Sequence, residues 1–136
     1  MKDTPWRRPR TLVEVVQSSA AYCDFGYHVK DFLHEVAAAR RSGESIEPRV
    51  AAAPPLLAGT FAEGKICDAF LAGLADYLAR TNGFNTPAWA AAQDRALDEP
   101  WFSEEFPQVR MRLLRDTPSA FKDKNVFVFP SALDVA

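Results

Sequence analysis

The residues best suited to chemistry form a polar stripe of one imidazole and three carboxylates. Asp24, His28, Asp31 and Glu35 are spaced four, three and four residues apart, so on a helix they lie along one narrow strip. Such a strip could bind a divalent metal ion or serve general acid–base catalysis. It is also typical of an ordinary solvated helix edge, and His34 points away from it. We therefore predict no metal site, and a metal-dependent enzyme using these four residues remains an alternative.

Other catalytic signatures are absent from the sequence. The six glycines are scattered and form no phosphate-binding fingerprint, and no Gly-x-Ser-x-Gly motif marks a serine nucleophile. Cys23 and Cys67 both fall in apolar helical patterns without Cys-x-x-Cys spacing, so we expect two reduced core thiols. We predict no catalytic residue and no cofactor, and an enzymatic activity is the less favoured interpretation.

A basic arm over residues 1–10 is the second candidate. Its Arg7, Arg8 and Arg10 could contact nucleic-acid phosphates while Trp6 stacks on a base. The whole chain has a formal net charge of −2, however, so it has no global attraction for nucleic acid or for anionic membranes. We expect a solvated surface, and a nucleic-acid-binding regulator using these arginines stays open as an alternative.

Composition and patterning predict one soluble helical domain spanning residues 1–136. Hydrophobic residues make up 48% and charged residues 25%, and no apolar run approaches the roughly 18 residues of a membrane span. Because the N-terminus lacks an apolar signal region, we expect a cytoplasmic protein. Helices are predicted over about 11–23 and 25–41, with a break near Asp24 and Gly26, followed by a Pro/Gly-rich loop at 43–59.

The clearest helix is predicted to start at the capping box Thr60-Phe61-Ala62-Glu63 and to end at Asn82-Gly83. Its apolar side is wide and runs from Ile66 to Leu78, which places this helix at the centre of the core. The opposite, polar side is predicted to hold four charged residues: Lys65, Asp68, Asp76 and Arg80.

The last third predicts short helices and one extended run. Thr86-Pro87 starts a helix toward Leu97, Ser103 starts another whose apolar side is Val109, Leu113 and Leu114, and Thr117-Pro118 starts a short turn. Val126–Phe129 is strand-like but has no visible partner strand. The predicted fold is therefore an all-α bundle of five to six helices with one short extended C-terminal segment.

Aromatic side chains concentrate in the same third. They fill a core or, alternatively, anchor a partner protein in a groove, because aromatics bury a large area per residue and dominate interface energetics. The predicted partner-binding residues are Trp89, Trp101, Phe102, Phe127 and Phe129.

The block Pro54-Pro55, Thr86-Pro87-Ala88-Trp89, Pro100-Trp101-Phe102, Thr117–Phe121 and Asn125–Val128 resembles a group of small helical bacterial proteins. Members occur beside nucleotidyltransferase-like proteins in pairs similar to toxin–antitoxin modules, and some carry a helix-turn-helix. The resemblance covers roughly residues 54–135 and implies a shared fold, with no catalytic residue to carry over. It implies an antitoxin-like or accessory protein that binds the product of a neighbouring gene. The chain shows no N-terminal helix-turn-helix, which argues against direct DNA binding. Self-association into a homo-oligomer also stays open.

Overall fold

Five α-helices surround a small parallel sheet in residues 8–133, the part of the chain that the computed structural model describes. The chain is mostly helical (59%) and forms a single domain, which confirms the predicted fold class. Within those residues, no helix is long and apolar enough to cross a bilayer. The elements are α1 (Leu12–Ser18), α2 (Tyr22–Arg41), α3 (Gly64–Asn82), β1 (Trp101–Phe102), α4 (Pro107–Asp116), α5 (Ser119–Lys122) and β2 (Val126–Phe127).

The N-terminal hairpin of α1 and α2 turns earlier than the sequence predicted. Ser19 adopts an extended backbone, and its hydroxyl donates to the Val15 carbonyl at 2.7 Å, which ends α1. Helix α2 then starts at Tyr22, so the predicted break near Asp24 and Gly26 was wrong. Because Cys23 falls in the first turn of α2 it is exposed, whereas Cys67 is buried as predicted.

Helix α3 is the centre of the core, as predicted. It ends at Gly83 in the left-handed region (φ 76°), which confirms the Asn-Gly stop signal. Its start is different, because the helix begins at Gly64 and no side chain caps it, so the predicted capping box is wrong. Gly64 packs directly against the Leu57 carbonyl, and a Cβ at this position would overlap that oxygen. Gly73 similarly makes room for the ring of Phe121 on α5.

The segment after α3 contains two short 3-10 turns where the sequence predicted one α-helix toward Leu97. The turns span Ala88–Ala91 and Gln93–Arg95, and Ala92 between them is extended (φ −66°, ψ 147°). Side chains from both turns reach back to the loop before α3, as described below. Those contacts are incompatible with a continuous helix in this segment.

The extended C-terminal run does have a partner strand. Trp101 pairs with Val126 and Phe102 with Phe127 in parallel register, so the prediction of an unpaired segment was wrong. Helix α4 starts at Pro107, later than the predicted Ser103, because proline suits a first helical position. Helix α5 follows Thr117-Pro118 as predicted.

Candidate functional site

The His28 strip lies on α2 with its four side chains half-buried. Within residues 8–133, no three His, Cys, Asp or Glu side chains lie close enough together to hold a metal ion. Glu35 instead faces Arg10, with its Oε1 3.8 Å from the Arg10 Nε. The arrangement therefore gives no support to the metal-dependent alternative.

The basic arm is only partly within the described residues, since Arg7 lies outside them. Arg8 and Arg10 are exposed, while Pro9 between them is buried. The carbonyl of Arg10 accepts a hydrogen bond from the Arg49 guanidinium at 3.2 Å, and its side chain pairs with Glu35. Arg10 thus packs on the domain through both its carbonyl and its side chain, and the nucleic-acid-binding alternative stays a prediction.

A buried carboxylate holds the Pro-rich loop against α3. Asp68 is fully buried, and its two oxygens accept the backbone N–H groups of Leu57 at 2.7 Å and Ala58 at 2.9 Å. Burial raises the pKa of Asp68, and these two donors together with the nearby Arg95 partly offset that shift. The charged residue that the sequence placed on a polar face therefore lies in the interior, where it fixes the loop.

A second contact holds the same loop from the other side. The Arg95 guanidinium donates to the Pro54 carbonyl and lies over the Trp89 ring, 4.9 Å from its centroid. The Trp89 indole N–H donates to the Val50 carbonyl at 2.9 Å. Burial lowers the pKa of Arg95. These contacts give Trp89 a structural role, and its predicted role as a partner anchor stays a prediction.

Three of the other predicted anchors, Phe102, Phe127 and Phe129, lie beside α4. Phe102 and Phe127 are stacked with ring centroids 4.8 Å apart. The guanidinium of Arg110 lies over Phe102 at 4.9 Å, and that of Arg112 lies over Phe129 at 5.3 Å. These aromatic rings therefore hold two α4 arginines on either side of the helix.

The outer face of α4 carries the exposed apolar side chains that the sequence interpretation missed. Met111 and Leu114 are 72% and 50% exposed, and Phe106, the residue just before the helix, is 68% exposed, whereas Leu113 is the residue of α4 that is buried. The sequence placed Leu114 with Val109 and Leu113 on the inner side, which is wrong. The available signal was the spacing of Met111 and Leu114, which puts them on one face away from Leu113.

Trp101, the fifth predicted anchor, lines a groove between α2 and α3. The groove has a volume of about 640 Å³ and is closed at one side by the C-terminal turn at Ser131 and Ala132. Phe25, Val29 and Phe70 contribute to its apolar lining. The groove and the α4 face are thus two separate surfaces that meet near Trp101.

No protein-family model, curated protein or solved structure matches this chain.

Proposed function

We propose that this chain is a non-enzymatic protein-binding protein, antitoxin-like or accessory, that uses the outer face of α4 to bind a partner protein. The observation that carries the proposal is the exposure of Met111 and Leu114 on one face of the short helix α4, with the exposed Phe106 immediately before that helix. Exposed apolar side chains that cluster on one face mark interaction sites, whereas single ones need no explanation.

The composition of the α4 face supports this use. Aromatic residues, methionine and arginine are enriched in protein interfaces, and α4 carries Met111 and three arginines with Phe106 immediately before it. Pro107, Met111 and Leu114 follow the i, i+4, i+7 spacing with which an amphipathic helix docks into a groove. Since Leu113 is the buried residue of α4, the side of the helix that carries Met111 and Leu114 is available to a partner.

The arginines indicate the chemistry of the partner. Arg110 and Arg112 are already held on aromatic rings, so less side-chain entropy is lost when they meet a carboxylate. Arg115 pairs with Asp116 on the same helix, and even so α4 carries more positive than negative charge. We therefore expect an apolar groove whose rim is acidic. The resemblance noted above makes a nucleotidyltransferase-like neighbour the candidate partner.

Co-expression with the product of the adjacent gene tests the proposal directly. The double variant Met111→Glu, Leu114→Glu should weaken the complex by at least about 30-fold, because interface hot spots cost about 2 kcal/mol or more when lost. The matched control is Leu56→Glu, which places the same charge on a leucine that is 42% exposed in another part of the chain. This control should leave the affinity unchanged.

Two results would contradict the proposal. One is a chain that stays monomeric and separate from the neighbouring protein at micromolar concentration. The other is a complex that the Met111 and Leu114 substitutions weaken no more than the Leu56 control does. Far-UV circular dichroism of each variant verifies that the fold is retained, which we expect because all the substituted side chains are largely exposed.

A further inference from the structure

The groove between α2 and α3 has the size and lining of a small-molecule site. Its volume of about 640 Å³ falls within the roughly 300–1,000 Å³ that such sites occupy. Its apolar lining comes from four parts of the chain: Phe25 and Val29 of α2, Phe70 of α3, Trp101 of β1 and Val128 after β2. The proposed protein-binding face on α4 contributes no residue to this lining.

Gly26 leaves the α2 wall of the groove open. Tyr22, Gly26, Lys30 and Leu33 lie four, four and three residues apart, so they share the side of α2 that lines the groove. A Cβ added at Gly26 would meet no atom within 4 Å, so a ligand can approach the helix backbone there. From Tyr22 to Leu33 this wall is about 16 Å long at the helical rise of 1.5 Å per residue.

Lys30 is the charged side chain among the described residues that line the groove. No hydrogen bond or ion pair within residues 8–133 involves its ammonium group. Three acids lie beside the lining and away from the Lys30 ammonium: Asp24 accepts a hydrogen bond from the Cys23 thiol, and Asp68 and Glu63 act electrostatically on Cys67. The groove thus has a long apolar body with one cation on its wall.

We propose that this groove binds an amphipathic carboxylate, whose apolar chain lies between α2 and α3 and whose carboxylate pairs with Lys30. The apolar lining accounts for the chain, and the unpaired ammonium accounts for the acid.

Decanoate serves as the probe, with octanoate and methyl decanoate as comparisons, and binding is measured by isothermal titration calorimetry below the micellar concentration. Each further buried methylene raises affinity about fourfold, so decanoate should bind about 15-fold more tightly than octanoate. Lys30→Gln should weaken decanoate about fivefold and leave methyl decanoate unaffected, since a partly exposed ion pair contributes this much.

Gly26→Leu should block the groove and weaken every probe at least tenfold. The variant should still fold, because leucine is a better helix former than glycine and its Cβ points into open space. Gly26→Ala is the matched control and should bind decanoate as the original chain does.

Three results would overturn the proposal: Gly26→Leu binding decanoate normally, octanoate binding as well as decanoate, or Lys30→Gln weakening the ester as much as the acid. The double substitution at Met111 and Leu114 should leave decanoate binding intact. A failure of the protein-binding proposal is therefore distinguishable from a failure of this one.

Discussion

The substitution of Asp68 tests how the loop before α3 is held. In Asp68→Ala, the N–H groups of Leu57 and Ala58 lose their acceptor and Arg95 loses its buried counter-charge. A hydrogen bond to a charged group contributes about 1.5–3 kcal/mol to stability. Removing one of two buried opposite charges costs about 3–5 kcal/mol, because the other charge stays buried without compensation. Because Ala58 is exposed and water can replace part of its bond, we expect Asp68→Ala to lower the free energy of unfolding by about 3–5 kcal/mol. Asp68→Asn should lower it by about 2 kcal/mol, since the amide oxygen keeps one donor satisfied.

Urea unfolding followed by far-UV circular dichroism measures these differences. A domain of this size has a free energy of unfolding of about 5–15 kcal/mol. The unfolding free energy of Asp68→Asn therefore stays measurable even if Asp68→Ala is nearly unfolded in buffer. Asp98→Asn makes the same chemical change at an exposed position and should alter stability by no more than about 0.5 kcal/mol. Equal unfolding free energies for the two asparagine variants would refute the reasoning. Trypsin cleavage after Arg49 should also speed up in Asp68→Asn if the loop is released.

Two further predictions concern glycine and cysteine. Gly64→Ala should destabilise the chain by more than about 2 kcal/mol in urea unfolding, because its Cβ overlaps the Leu57 carbonyl, whereas Gly26→Ala should stabilise it by about 0.5–1 kcal/mol. Burial raises the pKa of Cys67 to about 12, so iodoacetamide at mildly alkaline pH should alkylate Cys23 alone, and both thiols only in denaturant, as read by mass spectrometry. Since the unfolded Cys67 thiol ionises first, near its ordinary pKa of 9.0, native stability should fall as the pH rises from there toward 12.

The sequence predicted α3 well because its signals are local. Apolar periodicity and the Asn82-Gly83 stop depend only on residues within the helix, and both are confirmed. Periodicity failed for Asp68 and Asp76, which it placed on a polar surface. Each is buried because another part of the chain covers it: the backbone of residues 57–58 covers Asp68, and the hydroxyl of Thr86 donates to Asp76 at 2.7 Å. A charge pattern on one helix does not reveal such partners.

The predicted helix after Thr86-Pro87 failed for a similar, long-range reason. A turn does start there, but the side chains of Trp89 and Arg95 donate to backbone carbonyls 39 and 41 residues earlier in the chain. Two separate 3-10 turns point these two side chains toward those carbonyls. The parallel pairing of Trp101 with Val126 likewise joins distant residues over only two pairs, too few to produce a strand pattern. Local signals therefore predicted the stop of α3 and the turn after Thr117-Pro118, but not the elements whose conformation depends on partners far along the chain.

The aromatic-rich block indicated the right region for a binding surface but not the residues that are exposed there. The residue type alone does not show which aromatic rings pack inside the protein and which are exposed to a partner. Phe102 and Phe127 are stacked beneath α4, whereas Phe106, at the start of that helix, is mostly solvent-exposed. The distinction depends on the register of α4, and that register is set by Leu113, the buried residue of α4.

Trp101 lies between the two proposed surfaces, which decides how they should be tested. It lines the α2–α3 groove and borders the cleft at the base of α4. Its backbone N–H also donates to the Asn125 carbonyl at 2.8 Å, which holds the two strands together. Loss of binding in a Trp101 variant would not identify which surface had been damaged. Gly26 and Leu114 each belong to one surface and bury no side chain in the core, so their substitutions separate the two. If Gly26→Leu and Leu114→Glu abolish different binding activities, the sites are independent; if either abolishes both, the groove and the α4 face form one surface continuous across Trp101.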